Sequence, residues 1–319
     1  MINALVRKFG FFAVAINAVA LSSIWTAASA QDDGRKGRPA TAEFRWVSPL
    51  KQPIAGVRHE TFVSPSMKTD VGYCILLPDD YTANESSSTR YPVVYYLHGG
   101  RPGSETKSVR LAEVIRSHIQ SGDVPPMIYV FVNGGPVSHY DMPDRPEAQG
   151  ASVFIRELIP HIDSTYRTIA DRSGRGIEGF SQGGRGTARL MFRYPELFCS
   201  AAPGGAGQET EKQISENHGR ENDHLVFAEG DNTWDLARRY AAAGQQPKVS
   251  ILVHVGTKGF NYQNNLQYMQ FLESLKIPYS RVIVEGAGHS AAQIYQDSGR
   301  KIMQFHARNF GLLPAASAN

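Results

Sequence analysis

Residues 175–185 read RGIEGFSQGGR, with Ser181 at the centre of Gly179-Phe180-Ser181-Gln182-Gly183, a G-x-S-x-G pentapeptide. Its setting matters more than its letters. Ile177-Glu178-Gly179-Phe180 closes a short strand-like run. Residues 183–194, GGRGTARLMFRY, read as a helix stopped at Pro195, with Ala188, Leu190, Met191 and Phe192 giving it an apolar side. A serine on so sharp a strand-to-helix turn is forced into a strained backbone, and the flanking glycines admit the close approach of strand and helix. Its hydroxyl then projects from the carboxyl edge of a sheet, near the positive end of the following helix. This is the layout of a nucleophile elbow.

On either side of the elbow, strands and helices alternate. Before it come strand-like runs at His59–Val63, Gly72–Leu77, Tyr91–Leu97 and Met127–Val132. Two helices lie among them: one with Leu111, Val114, Ile115 and Ile119 at helical spacing, and one over Ser152–Tyr166 with Ile155, Leu158, Ile159 and Ile162 inward. After the elbow follow a strand at Cys199–Ala202, a glycine-rich loop at Pro203–Gly207 and an irregular excursion over Gln208–Gln246, with a helix near Asp235–Ala243. Strands at Val249–Val255 and Tyr279–Val284 bracket a helix at Tyr262–Leu275, and a helix from Ala291 to about Phe310 closes the chain. The pattern predicts an α/β fold: a mainly parallel twisted sheet covered by helices on both faces, opened by an antiparallel hairpin.

The ends read differently. Arg7 and Lys8, an apolar run from Phe9 to Trp25 and Ala28-Ser29-Ala30 predict a cleavable signal peptide over 1–30, hence a secreted or periplasmic chain with no membrane segment after cleavage. Residues 31–56 are polar, carry Pro39, Pro49 and Pro53, and read as a leader that folds late or not at all. One domain over 57–312 and a tail over 313–319 complete the division. The formal charge of +3 falls by two without Arg7 and Lys8, which gives no reason to expect a nucleic-acid partner. Cys74 and Cys199 lie in apolar strand-like runs and read as buried thiols.

A serine needs a base, and His289 is the candidate. It stands in Glu285-Gly286-Ala287-Gly288-His289-Ser290, directly after the last strand, and parallel strands deliver such loops to one edge. The oxyanion that forms on attack needs preorganised donors. The amide of Gln182 at the helix start is one; the second should come from Gly100 in the His98-Gly99-Gly100 loop after the Tyr91–Leu97 strand. Gly99 and Trp234 are the candidate substrate contacts. No His, Asp or Glu group shows a recognised metal spacing, and no cofactor is implied.

Together these residues resemble the "putative esterase" branch of the α/β-hydrolase superfamily, the group of feruloyl esterases, enterochelin esterases and S-formylglutathione hydrolases. The resemblance runs from about Arg58 to Phe310, through GYCILLPDDY, VVYYLHGG, PPMIYVFVNGG, RELIPHIDSTYRT, GFSQGGRGTARLMFRYPELFCSAAPGG, NTWDLAR and EGAGHS. It implies the α/β-hydrolase fold, Ser181 as nucleophile, His289 as base, and an oxyanion hole from the Gly100 region and Gln182. In the family pattern the acid of the triad follows the Val249–Val255 strand in a Gly-Thr-Lys-Asp type of sequence. Here the text is Gly256-Thr257-Lys258-Gly259. Asp231 is the first substitute, with Glu285 and the neutral Asn261 as alternatives.

The resulting expectation is an exported serine carboxylesterase acting on a small-molecule or oligosaccharide ester, a feruloyl or acetyl group on a carbohydrate. The alternatives are an esterase-fold binding protein weakened by Gly259, and a sugar acyltransferase using the same acyl-enzyme.

Overall fold

The computed structural model describes residues 44–83 and 88–315. The expected signal peptide, the first part of the leader and the last four residues of the tail lie outside them.

Eight strands form one sheet: β1 (Val57–Ser64), β2 (Thr69–Leu76), β3 (Val93–Leu97), β4 (Ile128–Val132), β5 (Arg175–Phe180), β6 (Ser200–Gly204), β7 (Ser250–Gly256) and β8 (Ser280–Val284). Their order across the sheet is β1-β2-β4-β3-β5-β6-β7-β8. β1 and β2 form the antiparallel hairpin, and β2 pairs antiparallel with β4. Every pairing from β4 to β8 is parallel. The central strands are apolar on both sides because both faces are covered. Val93, Tyr95, Leu97, Ile177 and Val253 face one core with Phe154, Leu158, Leu190 and Tyr268. Val94, Tyr96, Phe131, Phe180 and Leu252 face the other, with Leu111, Ile115, Ile294 and Ile302. The helices Gln182–Arg193 and Tyr262–Ser274 therefore cover one face, and Leu111–Gln120 and Ala291–Asn309 the other. The helical stretch expected over Ser152–Tyr166 runs as Gly150–Val153, a π-helical turn at Phe154–Leu158, and Ile159–Thr165.

Two differences from the expectation have physical causes. The described part of the leader is docked: the Trp46 carbonyl accepts from Gly72 N at 2.7 Å and from Asn133 Nδ2 at 3.0 Å, while Ser48 N donates to Glu105. Leu50 and Ile54 pack on the second core. The excursion is also ordered, as a helix Gln208–Glu216, a short hairpin of Arg220–Asn222 with Leu225–Val226, and a helix Thr233–Ala242. Asn232 caps the last of these, its Oδ1 accepting from Trp234 N and Asp235 N at 3.1 and 2.9 Å. Cys74 on β2 and Cys199 before β6 are free thiols, the first buried and the second half-buried, with β4, β3 and β5 between their strands.

Candidate active site

The turn between β5 and the helix Gln182–Arg193 puts Ser181 at φ 61° and ψ −115°, a conformation that L-residues avoid. Backbone bonds hold it there: Ser181 N donates to Gly204 O at 2.8 Å, and Arg185 N donates to Ser181 O at 3.0 Å. The glycines serve close approach. A Cβ on Gly183 would overlap the Leu97 carbonyl, and one on Gly179 would come within 2.6 Å of Gly183 O. Strand β5 and its helix can cross this tightly only without side chains at those two positions.

His289 follows β8 and the Gly286–Gly288 turn. Its backbone is set by the start of the last helix, where Ser290 Oγ accepts from Gln293 N at 3.3 Å and the Gln293 side chain accepts from Gly288 N at 3.0 Å. The imidazole Nε2 lies 2.8 Å from Ser181 Oγ, so the structure brings the two expected partners together across 108 residues of chain. Burial holds the His289 imidazole below the usual 6.5, which keeps it neutral and able to accept the serine proton near neutral pH.

The donor side is built from Gln182 and the loop after β3. Gln182 is the first residue of its helix, so its N–H has no intrahelical acceptor. Its side chain is fixed, with Oε1 accepting from Arg185 Nη1 at 3.1 Å and Nε2 donating to Ser138 O at 3.4 Å. Gly99 lies against the nucleophile, since a Cβ there would be 3.3 Å from Ser181 Cβ. Gly100 adopts φ +69°, and its carbonyl accepts from Ser138 Oγ at 2.8 Å. His98 is buried and shapes this loop: its Nε2 accepts from Ser104 N at 3.2 Å, so Nδ1–H donates to Gly99 O at 3.0 Å. Burial pushes its imidazole down to about 3. His139 Nε2–H donates to the His98 carbonyl at 3.0 Å.

The third member of the constellation is where the structure departs from expectation. Asp231 does not reach His289. Its Oδ2 accepts from Arg189 Nη1 at 2.8 Å and Arg193 Nη1 at 2.6 Å, on the helix that follows the elbow. Glu285 is exposed and accepts from Thr257 Oγ1 at 3.2 Å. Asn261 is buried, but its Nδ2 is turned to the carbonyls of Gly205 and Ala206, leaving Oδ1 unpartnered. Among the described residues His289 Nδ1 is buried with no hydrogen-bond partner. Gly259 lies beside His289. A Cβ built on it would lie 3.9 Å from His289 Cα, 3.1 Å from Gly256 O and 3.3 Å from Asn261 Oδ1. Trp234 is likewise no substrate contact: it is 9 % exposed, its ring lies 4.2 Å from that of Phe271, and its Nε1–H is taken by Gln208 O.

The sequence reading passed over two features. The helix Gln182–Arg193 buries Arg185 and Arg189 completely or nearly so. Arg185 donates to Glu211, Glu221, Gln182 and the Tyr140 hydroxyl. Arg101 closes a two-pronged bond on Glu221 at 2.7 and 2.9 Å. Burial works to raise Glu221, but Arg101 and Arg185 outweigh it and hold the carboxyl down at about 2. Arginines at every fourth position of the helix, at 185, 189 and 193, were the available signal. The second feature is Phe260, 81 % exposed, whose ring centroid lies 4.3 Å from that of His289.

Among curated proteins the chain is 31% identical to Esterase MT1326 of Mycobacterium tuberculosis over 148 residues, covering 44% of this chain and 30% of that protein. It is 28% identical to an endo-1,4-beta-xylanase/feruloyl esterase of Xylanibacter ruminicola over 152 residues, covering 44% of this chain and 20% of that one. The chain thus spans less than a third of the length of these relatives. Among solved structures a ferulic acid esterase superposes with a TM-score of 0.67 at 23% identity, over 80% of this chain and 98% of the other, which shows a shared fold. The family model described as "Putative esterase" matches residues 64–299, well over half of the sequence, and the chain belongs to that esterase family.

Proposed function

We propose that this protein is an exported serine carboxylesterase that hydrolyses an acyl ester, a feruloyl or acetyl group on a carbohydrate, through an acyl-enzyme on Ser181. The observation that carries the reading is the 2.8 Å contact between Ser181 Oγ and His289 Nε2 on a strained elbow. In the proposed reaction Ser181 Oγ attacks the ester carbonyl while its proton passes to His289 Nε2. The carbonyl oxygen gains negative charge and is met by the Gln182 amide and the Gly100 loop. Collapse releases the alcohol, protonated by His289. Water activated by the same imidazole then attacks the acyl-enzyme and frees the acid. The carbohydrate ester is favoured by the feruloyl esterase activities in the names of the relatives above, and export by residues 1–30 of the sequence. The test is an activity screen of the chain on aryl, acetyl and feruloyl esters, with Ser181→Ala as control and a phosphonate probe as label. Turnover and labelling that both depend on Ser181 support the reading; ester turnover retained in the alanine variant refutes it.

One observation favours a second reading. The unpartnered His289 Nδ1 and Gly259 fit an esterase-fold binding protein in which catalysis has been weakened. Saturable binding of a feruloylated oligosaccharide, with no turnover by the wild type, would support it over the first.

A further inference from the structure

The 2.8 Å contact with Ser181 is made although, among the described residues, no carboxylate holds the other side of the imidazole. Something else must fix the rotation of that ring, and its close aromatic neighbours are two phenyls. Phe180 is 5 % exposed and lies 4.9 Å from the His289 ring at 43°. It is immobilised in turn by His254, 6.2 Å away, and by Gly205, where a Cβ would come within 2.7 Å of the phenyl ring. Phe260 lies 4.3 Å from His289 at 48° and is open to solvent. It is the next residue after Gly259, which faces His289 with no side chain.

We infer that Phe260 is a positioning residue for His289. With Phe180 it forms an aromatic clamp that holds the imidazole with Nε2 toward Ser181, the orienting task that a triad acid would otherwise perform. The inference rests on the serine-esterase reading of the site. When Ser181 Oγ bonds to the carbonyl carbon, its proton moves to Nε2 and the carbonyl electron pair moves to oxygen. The imidazolium formed then lies against aromatic rings whose faces attract cations. On collapse the carbon–oxygen bond of the ester breaks, and the proton passes from Nε2 to the leaving alcohol. The clamp thus orients the ring and offers part of the charge stabilisation, with no anion at Nδ1.

The exposed position of Phe260 allows its replacement without loss of fold. Histidine ¹⁵N NMR on the full chain should show His289 as a single Nδ1–H tautomer in the wild type. In Phe260→Ala the ring should be released and the two tautomers averaged, and Phe260→Trp should restore the single form. In parallel, kcat of Phe260→Ala should fall about tenfold on acetyl and feruloyl esters alike, with KM unchanged. A single Nδ1–H tautomer retained in Phe260→Ala overturns the inference. So does a loss confined to KM for aromatic esters, which would make Phe260 a wall of the substrate cleft. If the wild type turns over no ester, the functional reading fails, while the tautomer comparison still decides the role of Phe260.

Discussion

On the nucleophile side of the site, side chains are tied to several partners each. Gln182 is held by Arg185 and Ser138, the Gly100 carbonyl by Ser138, the His98 carbonyl by His139, and Arg185 by two carboxylates and a tyrosine hydroxyl. On the histidine side, His289 Nδ1 and Asn261 Oδ1 are buried without partners among the described residues, and the exposed Phe260 ring lies 4.3 Å from the imidazole. The contrast shows how the work is divided. Oxyanion donors act only if they are already in place when charge develops, and in the proposed mechanism the bonds around Gln182 and the Gly100 loop meet that requirement. In the proposed reading the base is aimed by its contact with the serine and by restraint of its ring. In the proposed mechanism the electrostatic half of the site is fully supported, while its proton-transfer half is simplified.

Removing the nucleophile should have the largest effect. Ser181→Ala should lower kcat by at least about 10⁴-fold without changing the unfolding midpoint, because only oxyanion binding and positioning remain. Single-turnover assays beside a denaturant titration check both halves of that statement. If the rate falls only a few-fold, the nucleophile side is not where the chemistry lies.

Next comes Asp231, which the structure moves from catalysis to the framework. Asp231→Asn removes the charge that pairs with the fully buried Arg189. Breaking such a pair costs about 3 kcal/mol of stability. Turnover per folded molecule should stay within about twofold, since nothing links this carboxylate to His289. Urea unfolding together with active-site titration separates the two quantities. A lost rate at full folding would restore Asp231 as the acid.

Gly259→Asp tests the simplified half directly. A carboxylate reaching Nδ1 should raise kcat by about tenfold, less than a full triad gains, because the new Cβ must settle between Gly256 O and Asn261 Oδ1. The pH profile should move with it. With the neutral imidazole as the proposed base, kcat/KM should be lost as pH falls through the His289 pKa, which burial places below 6.5 in the wild type. A neighbouring carboxylate favours the cation, so the acid limb should shift upward in the variant. An unchanged limb would mean that the new side chain does not touch the histidine. The smallest effect belongs to Glu285→Gln, which should alter kcat by less than about twofold because Glu285 bonds only to Thr257 among the described residues. A larger loss would reopen the search for the acid.

The sheet was legible because β3 and β4 are unbroken apolar runs, and the elbow because glycine, serine and glycine fall between a strand and a helix. The Ser181–His289 pairing followed from parallel strands delivering both loops to one edge. The excursion after β6 was not legible. Its first helix buries Gln208 and Glu211 beside Ile214, so hydrophobic periodicity gives no signal. Asp231 misled for a related reason: Glu229-Gly230-Asp231 looks like a surface acid loop, and only the fold reveals that two arginines of the elbow helix take it. Phe260 was overlooked because an exposed phenylalanine acquires meaning only from the ring that it meets.

The elbow helix also carries a consequence for the order in which the molecule is made. Arg185, Arg189 and Arg193 find their ion-pair partners in Glu211, Glu221 and Asp231, all later in the chain. On a ribosome the helix is complete about 40 residues before the last of these carboxylates, roughly two to eight seconds of synthesis. Through that interval its three arginines lack the carboxylates that pair with them in the folded protein. A nascent chain can therefore contain the whole GFSQG text while the arginines of its helix are still unpaired, and His289 comes a further 58 residues after Asp231.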